Sequence, residues 1–275
     1  MNRLSARAIA QSKVLHDRLN LALGVNYSRT ENNDVPSGIE RGMAVADAMI
    51  YYSPLQPVRN ADGSWSSSTS ATNYYNPVSM IHEDEMNYLK KRTQITGKAD
   101  LTILKGLTWT AQFAYSDMQN ITSIYHSTQS QIVKTNGEAK RSTYFGSKKV
   151  FETYGNYQTT INGLHRLGFM AGYSWEETNR NDGFGLTVKD FYNDALKYYD
   201  LTYANKIDGI DAVESGNRST LRMISFYGRA NFSFADKYNI QATIRRDGSS
   251  AFGKDNRWAT FPSVSASWRL SEESF

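Results

Sequence analysis

The residues best suited to chemistry gather near the C-terminal end, where Arg245, Arg246, Asp247, Gly248, Ser249 and Ser250 run together and Asn256, Arg257 and Trp258 follow. Two guanidinium forks beside a channel mouth could grip carboxylates or sugar hydroxyls through paired hydrogen bonds. The competing reading is a loop-closing network in which Asp247 pairs with an arginine and Gly248 supplies the turn. Trp258 suits a ligand platform or an interface anchor equally. Tyr74, Tyr75, Tyr125, Tyr198 and Tyr199 fall between the regular stretches, where they could stack on sugars or pack a loop. The four histidines, His16, His82, His126 and His165, have no metal-ligand spacing. Acidic groups cluster as Glu83-Asp84-Glu85 and recur at Asp182, Asp190, Asp194, Asp208 and Asp211, so a loop calcium site competes with plain solvated charge. Cysteine is absent, which excludes disulfides, thiolate metal sites and cysteine nucleophiles within the chain. There is no Gly-rich phosphate loop and no G-x-S-x-G elbow. No nucleophile–base constellation stands out, so the reading is a non-enzyme without a cofactor or metal.

The elements that must carry these residues repeat with period two. Tyr238, Ile240, Ala242 and Ile244 share one face, and Asn239, Gln241, Thr243 and Arg245 the other. Leu19, Leu21, Leu23, Val25 and Tyr27 oppose Asn20, Ala22, Gly24, Asn26 and Ser28. Leu107, Trp109, Ala111, Phe113 and Tyr115 oppose Thr108, Thr110, Gln112, Ala114 and Ser116. The same alternation predicts further strands near 3–14, 91–104, 146–161, 165–178, 217–234 and 259–270. In the last of these, Val264, Ala266, Trp268 and Leu270 face away from Ser263, Ser265, Ser267 and Arg269. Most of the nine reach the roughly 9–11 residues that cross a bilayer at a tilt, beyond the usual length in soluble sheets.

Connections sort by length. Leu15–Arg18, Lys105–Gly106, Asn162–Leu164 and Ala235–Asp236 are tight, and they alternate with long segments at 31–90, 121–145, 179–216 and 248–258. Short turns at one end and long loops at the other are the layout of an outer-membrane barrel. The strand number is odd and both termini stop in or beside a strand, so the chain reads as an incomplete barrel with edges left to pair. Two helices are predicted in the loops, Gly42–Tyr52 and Thr187–Tyr203, the second from the spacing of Asp190 and Asp194. The first loop also holds a Pro-rich turn from Pro54 to Gly63 and a Ser/Thr-rich run at 64–72 that reads as solvated.

Composition fits. Aromatic residues make up 13% of the 275, as 18 Tyr, 12 Phe and 5 Trp, which favours half-buried strand surfaces. The net charge of +4 is spread without a basic block, so a nucleic-acid partner is excluded. The N-terminus places Arg3 and Arg7 where a signal peptide needs an apolar core. No run approaches the roughly 18 apolar residues of a membrane helix. The mean hydropathy of −0.57 leaves a soluble protein and an alternating barrel both open. Trp109, Tyr115, Tyr173, Trp175, Tyr238 and Trp268 lie near strand ends, as an aromatic girdle at the headgroup level requires.

Three stretches near the C-terminal end carry a family likeness: Phe226 through Tyr238, then Ala242-Thr-Ile-Arg-Arg-Asp-Gly-Ser-Ser-Ala-Phe-Gly, then Asn256-Arg-Trp and Phe261-Pro-Ser-Val-Ser-Ala-Ser-Trp-Arg-Leu-Ser-Glu-Glu. They resemble the signature region of SusC/RagA-type TonB-dependent outer-membrane transporters. Weaker echoes at Pro54–Gly63, Asn76-Pro, Lys105-Gly-Leu and His165 through Trp175 extend the likeness over nearly the whole chain, as the central part of the β-barrel. The resemblance marks Arg245, Arg246, Asp247, Gly248, Ser249, Ser250, Phe252, Gly253, Asn256, Arg257, Trp258, Phe261 and Pro262 as a signature loop.

That resemblance implies an all-β antiparallel transmembrane barrel segment in the cell outer membrane, serving import of glycan or peptide oligomers. It implies contact with outer-membrane lipid, a SusD-like surface lipoprotein lidding the barrel, and a TonB complex acting only through a plug domain that this chain lacks. Arg229, Asn231, Asn239, Gln241 and Thr243 would face the lumen. Ile240→Arg, near the midplane, would then cost ~2–4 kcal/mol and Gln241→Arg much less. The rival is a soluble β-rich carbohydrate-binding module, which would be a detergent-free monomer with cooperative unfolding.

Overall fold

The computed structural model describes residues 1–35, 45–67, 75–207 and 213–273. Nine long strands follow one another in a single antiparallel sheet: β1 (Asn2–Val14), β2 (Leu19–Asp34), β3 (Asp84–Leu104), β4 (Leu107–His126), β5 (Glu138–Ile161), β6 (His165–Arg180), β10 (Ser219–Phe234), β11 (Tyr238–Ser249) and β12 (Trp258–Trp268). These are the nine predicted strands, several of them longer than expected. Three short strands branch from the path inside the third long loop: β7 (Phe184–Phe191), β8 (Ala204–Ile207) and β9 (Val213–Ser215). The sheet does not close on itself, and β1 and β12 are its two edges.

Turns at one end are tight because their residues accept left-handed backbone. Asn162 and Gly163 have φ of 54° and 70°, and Leu164 N–H closes on Ile161 O at 3.3 Å. Consecutive positive φ values match the right-handed twist of a hairpin, and Asn-Gly adopts them cheaply. Ala235 and Asp236 do the same at φ 50° and 56°, with Lys237 completing a connection one residue longer than predicted. Leu15, His16 and Asp17 also all have positive φ. At Gly106, φ is 83° and an added Cβ would lie 2.2 Å from Gln158 O, so only glycine fits.

The period-two pattern holds through the registers. Phe234, Tyr238 and Trp268 stand on one rung, with ring centroids 6.2 and 6.1 Å apart. Towards the loops on the same face, Phe226 contacts Tyr173 and Trp258 at 5.3 and 6.2 Å. Trp109, Tyr157, Phe234, Tyr238 and Trp268 thus form a band near the turns, and Tyr27, Tyr115, Tyr173, Trp175, Phe226 and Trp258 a band near the loops. Along β11 ten residues run from Tyr238, paired with Trp268, to Gly248, paired with Trp258. At roughly 3.3 Å per residue and a tilt of about 40°, that is a vertical separation of about 25 Å, the height of an outer-membrane apolar band.

The loop ends depart from the sequence expectations. The predicted helix at 187–203 is instead β7 followed by 3₁₀ turns at Lys197–Tyr199 and Leu201–Tyr203. The reason is an open edge. β5 outlasts β6, whose pairing stops at Asn179 opposite Ser147, so the backbone groups of β5 from Glu138 to Ser142 need another partner. β7 supplies it and buries Val188 and Phe191 as it does so. Of the predicted Gly42–Tyr52 helix, α1 (Val45–Tyr51) is observed, and 42–44 lie outside the described residues. A second helix, α2 (Pro77–Glu83), was not predicted, although its signal is in the sequence. The Asn76 carboxamide caps it by accepting from Val78 and Ser79 N–H, and Pro77 occupies the first turn. Of the run at 64–72 predicted to be solvated, Trp65 and Ser66 are buried, Ser64 and Ser67 are exposed, and 68–72 lie outside the described residues.

Candidate functional site: the polar face and the loop cap

Opposite the apolar face, every long strand presents polar residues, and several bond across strands. Asp100 accepts from Thr110 Oγ1 at 2.7 Å and pairs with Lys98 at 2.9 Å. Gln112 donates to Glu152, which also accepts from Tyr227 Oη at 2.6 Å. The Tyr227 ring lies directly over Gly172, where a Cβ would come within 2.5 Å of it. Arg245 Nε donates to Asp247 at 2.8 Å and its Nη2 to Ser225 Oγ at 3.0 Å.

Strand alternation separates the signature residues. Arg245 and Asp247 are on the polar face, whereas Arg246 is on the apolar face with its guanidinium 5.4 Å from the Trp258 ring centroid. The two arginines therefore do not form one fork. Gly248 supplies no turn: it sits in β11 opposite Trp258, and an added Cβ would be 2.9 Å from the indole. The loop itself closes on backbone bonds. Ser249 N–H donates to Arg257 O at 2.9 Å, Ser250 N–H to Arg222 O at 2.9 Å and Asn256 N–H to Gly253 O at 3.0 Å. Arg257 Nε reaches Phe252 O at 3.3 Å, leaving the Phe252 ring exposed. Phe261 and Pro262 pair with Arg245 and Ile244.

Among the resemblance-derived lumen candidates, Arg229 stands opposite Thr243 and Asn231 opposite Gln241, with Asn239 opposite Ser233. They share the polar face. Asn231, Asn239 and Gln241 line a hollow of about 550 Å³ with Gln158, Arg166, Ser265 and Ser267.

Beyond the loop-side aromatic band, the first three long loops are tied into one cap. Its small core is Tyr125, Ala139, Val188, Phe191 and Tyr198. Asp194 accepts from Tyr125 Oη at 2.6 Å and from Thr128 N–H and Oγ1 at 2.8 Å each. Burial opposes ionisation of Asp194, but these bonds outweigh it and hold the carboxyl below the usual aspartate range. Burial and then Asp194 push the Tyr125 phenol up. Glu85 behaves likewise: burial opposes the charge, and Lys197 with Tyr198 Oη, at 2.7 Å, keep the group below the usual glutamate range. His126 Nδ1 and Ser130 Oγ both bond Asp84, at 2.7 and 2.6 Å. In the first loop Trp65 is held between Arg59, 3.6 Å above its ring, and His82, and donates Nε1–H to Glu83 at 2.9 Å.

The acidic residues flagged for calcium are therefore spent on separate protein partners. Asp190 accepts from Asn136 N–H and Asp182 pairs with Arg218, while Asp208 and Asp211 lie outside the described residues. No group of three or more metal-ligating side chains occurs among the described residues. Of the loop tyrosines proposed for sugar stacking, Tyr125 and Tyr198 are packed in the cap core, Tyr199 is exposed and Tyr74 lies outside the described residues. Tyr192 and Tyr51 are exposed as well, and β-period reasoning passed over both.

The arrangement of an apolar band, a polar reverse face and loops gathered at one end has counterparts. The TonB dependent receptor-like, beta-barrel family matches residues 46–274. The chain belongs to that family. TonB-dependent receptor P26 of Formosa agariphila is 27% identical over 95% of this chain and 26% of its own length. TonB-dependent receptor SusC of Bacteroides thetaiotaomicron is 35% identical over 41% of this chain and 9% of its own. The TonB-dependent receptor barrel described here thus spans about a quarter of the first of these relatives. Among solved structures, that of the RagAB peptide transporter superposes with a TM-score of 0.78 over 96% of this chain and 30% of that one, at 21% identity. That of P. aeruginosa FpvA bound to heterologous pyoverdines gives 0.52 over 98% of this chain and 34% of that one, at 12% identity. At these identities the likeness concerns the fold alone.

Proposed function

We propose that this TonB-dependent receptor segment is one wall of an outer-membrane importer of glycan or peptide oligomers. Its polar face lines the lumen, its apolar face meets lipid, and its long loops form the extracellular mouth. The observation that carries the reading is the pair of aromatic bands about 25 Å apart on a face otherwise built mostly of apolar residues and glycine. A soluble module would leave that face in water as a large apolar patch, so the soluble reading has nothing in its favour.

On this reading Arg229, Asn231, Asn239, Gln241 and Thr243 present amides, a hydroxyl and one cation to passing substrate. The signature loop at 245–262 braces the wall where Arg245 meets Asp247 and Ser225. Partners follow from the family: lipid, a SusD-like lipoprotein over the loop cap, and the TonB complex acting through a plug domain within the barrel and not through this wall. The choice of oligomer is supported on the glycan side by a relative named SusC and on the peptide side by the RagAB fold match.

The test is uptake. Cells producing the receptor that carries this chain are offered fluorescent oligosaccharides and oligopeptides, with TonB present or deleted. Accumulation that needs both the receptor and TonB supports the importer. Accumulation that is unchanged when the receptor is deleted refutes it.

A further inference from the structure

Charges on the polar face mostly cancel. Lys98 meets Asp100 at 2.9 Å, Lys148 meets Glu176 at 2.7 Å and Arg245 meets Asp247 at 2.8 Å. At the loop ends of β1 and β3 they do not. The registers put Arg3 and Lys90 on one rung with Thr30 between them. Arg92 shares the next rung with Ser5 and Ser28, and Arg7 the one after with Asn26 and Gln94. Because β2 separates the two strands, Arg3 and Lys90 face each other about 10 Å apart, twice the interstrand spacing, and Arg7 lies one rung further along from Arg92.

None of these four side chains makes an ion pair among the described residues. Arg3 Nε donates only to Ser5 Oγ and Arg92 Nε only to Ser116 Oγ, each at 3.3 Å. Along β1–β3 the nearest carboxylate on this face is Asp34, opposite Met86 and two rungs beyond Lys90, where it accepts from Val35 N–H. Four like charges held this close repel one another, and the wall is calmer with an anion among them.

Position adds to the argument. Arg7 lies seven residues and Arg3 eleven residues from Val14, at the turn. The loop-side aromatics Tyr27 and Tyr115 lie eight residues from the turn-side ends of their strands, at Leu19 and Leu107. The cluster is thus level with the loop end of the apolar band, where a ligand entering between the loops first meets the wall. Ser5, Asn26, Ser28, Thr30 and Gln94 share the cluster's rungs, so hydroxyls and amides lie between the cations.

We propose that Arg3, Arg7, Lys90 and Arg92 form a binding site for an acidic oligosaccharide, a glycan bearing carboxylates or sulfates. The proposal rests on the polar face being the lumen, as argued above. The guanidiniums would bind the acid groups in paired hydrogen bonds, and Ser28, Thr30 and Asn26 the hydroxyls between them.

The experiment measures Kd for the intact receptor in detergent with four probes: oligogalacturonate, chondroitin sulfate hexasaccharide, malto-oligosaccharide and hexaglutamate. At least one acidic glycan should bind, with affinity falling steeply as salt rises. The Arg7→Gln/Arg92→Gln double variant should weaken that binding about tenfold or more, and Arg7→Lys/Arg92→Lys should recover part of it. Heat-modified gel mobility checks that each variant still forms a barrel. Malto-oligosaccharide binding as well as either acid, unchanged Kd in the double glutamine variant, or preference for hexaglutamate would each overturn the acidic-glycan site while leaving the importer standing. Failure of all four probes would overturn the site as well, and uptake without receptor dependence would remove the importer reading itself.

Discussion

The assignment of the two faces can be tested at three neighbouring residues of β11. Ile240 and Ile244 point to the apolar face and Gln241 to the polar one. Ile244 lies six residues above Tyr238 and four below Gly248, near the middle of the apolar band. Ile240 is only two residues above Tyr238, roughly 5 Å vertically at the strand rise and tilt used above. That overturns the sequence-based placement of Ile240 near the midplane. Arginine costs about 2–4 kcal/mol at the midplane of a lipid-facing position and ~0–1 near the interface. Ile244→Arg should therefore cost about 2–4 kcal/mol, Ile240→Arg about 1 because its guanidinium can snorkel to the headgroups, and Gln241→Arg well under 1. Denaturant titration of the receptor refolded into lipid vesicles reads all three. Equal destabilisation by Ile244→Arg and Gln241→Arg would show that neither face is the lipid face, and a cost at Ile240 matching Ile244 would refute the position of the band.

Three more outcomes follow from the turns, the wall and the cap. Gly106→Ala should destabilise by about 2 kcal/mol or more, since it puts a Cβ against Gln158 O in left-handed backbone, whereas Ala235→Gly should stabilise by up to ~1 kcal/mol by relieving a positive φ; thermal melts of the two variants moving the same way would contradict this. Gly172→Val should push the Tyr227 ring off Glu152 and cost about 1–3 kcal/mol, visible as a lowered melting temperature that Tyr227→Ala in the same chain partly restores. Tyr125→Phe removes one bond to Asp194 and should raise amide exchange in residues 184–203, with little change in β10–β12. The pH dependence of the cap has two limits. Asp194 and Glu85 are depressed, so their stabilisation is present above the usual carboxylate range and is lost as pH falls through their folded values; Tyr125 and Tyr198 are raised, so theirs is present below about 10 and is lost as pH rises through the folded values. Proteolysis of the third loop should thus be slow from about pH 5 to 10 and faster outside that window; a rate unchanged across both limits would contradict this.

Much of the wall is written in local pattern. Alternation in Tyr238–Asp247 or Leu107–Ser116 assigns each side chain to a face without knowledge of any neighbour, because a strand turns successive residues to opposite sides. Asn162-Gly163 announces its turn through backbone that those residues alone adopt cheaply. The Asn76-Pro77 start of α2 was equally legible, and only the longer stretch of loop around it hid the helix.

What the local pattern could not settle depended on partners far along the chain. Asp190 and Asp194 stand at helical spacing, but β5 extends past β6 and leaves unpaired backbone that only a strand can satisfy, so β7 forms at Phe184–Phe191. Glu83, Asp84 and Glu85 look like one acidic cluster, yet in the fold they bond three separate groups of residues, from Trp65 and Ser127 to His126 and on to Tyr198. The basic cluster is of the same kind: Arg3 and Lys90 are 87 positions apart in sequence and share a rung only through Thr30. A residue's face is set by its own chain geometry, whereas its rung is set by register with another strand, and register exists only once the sheet has formed.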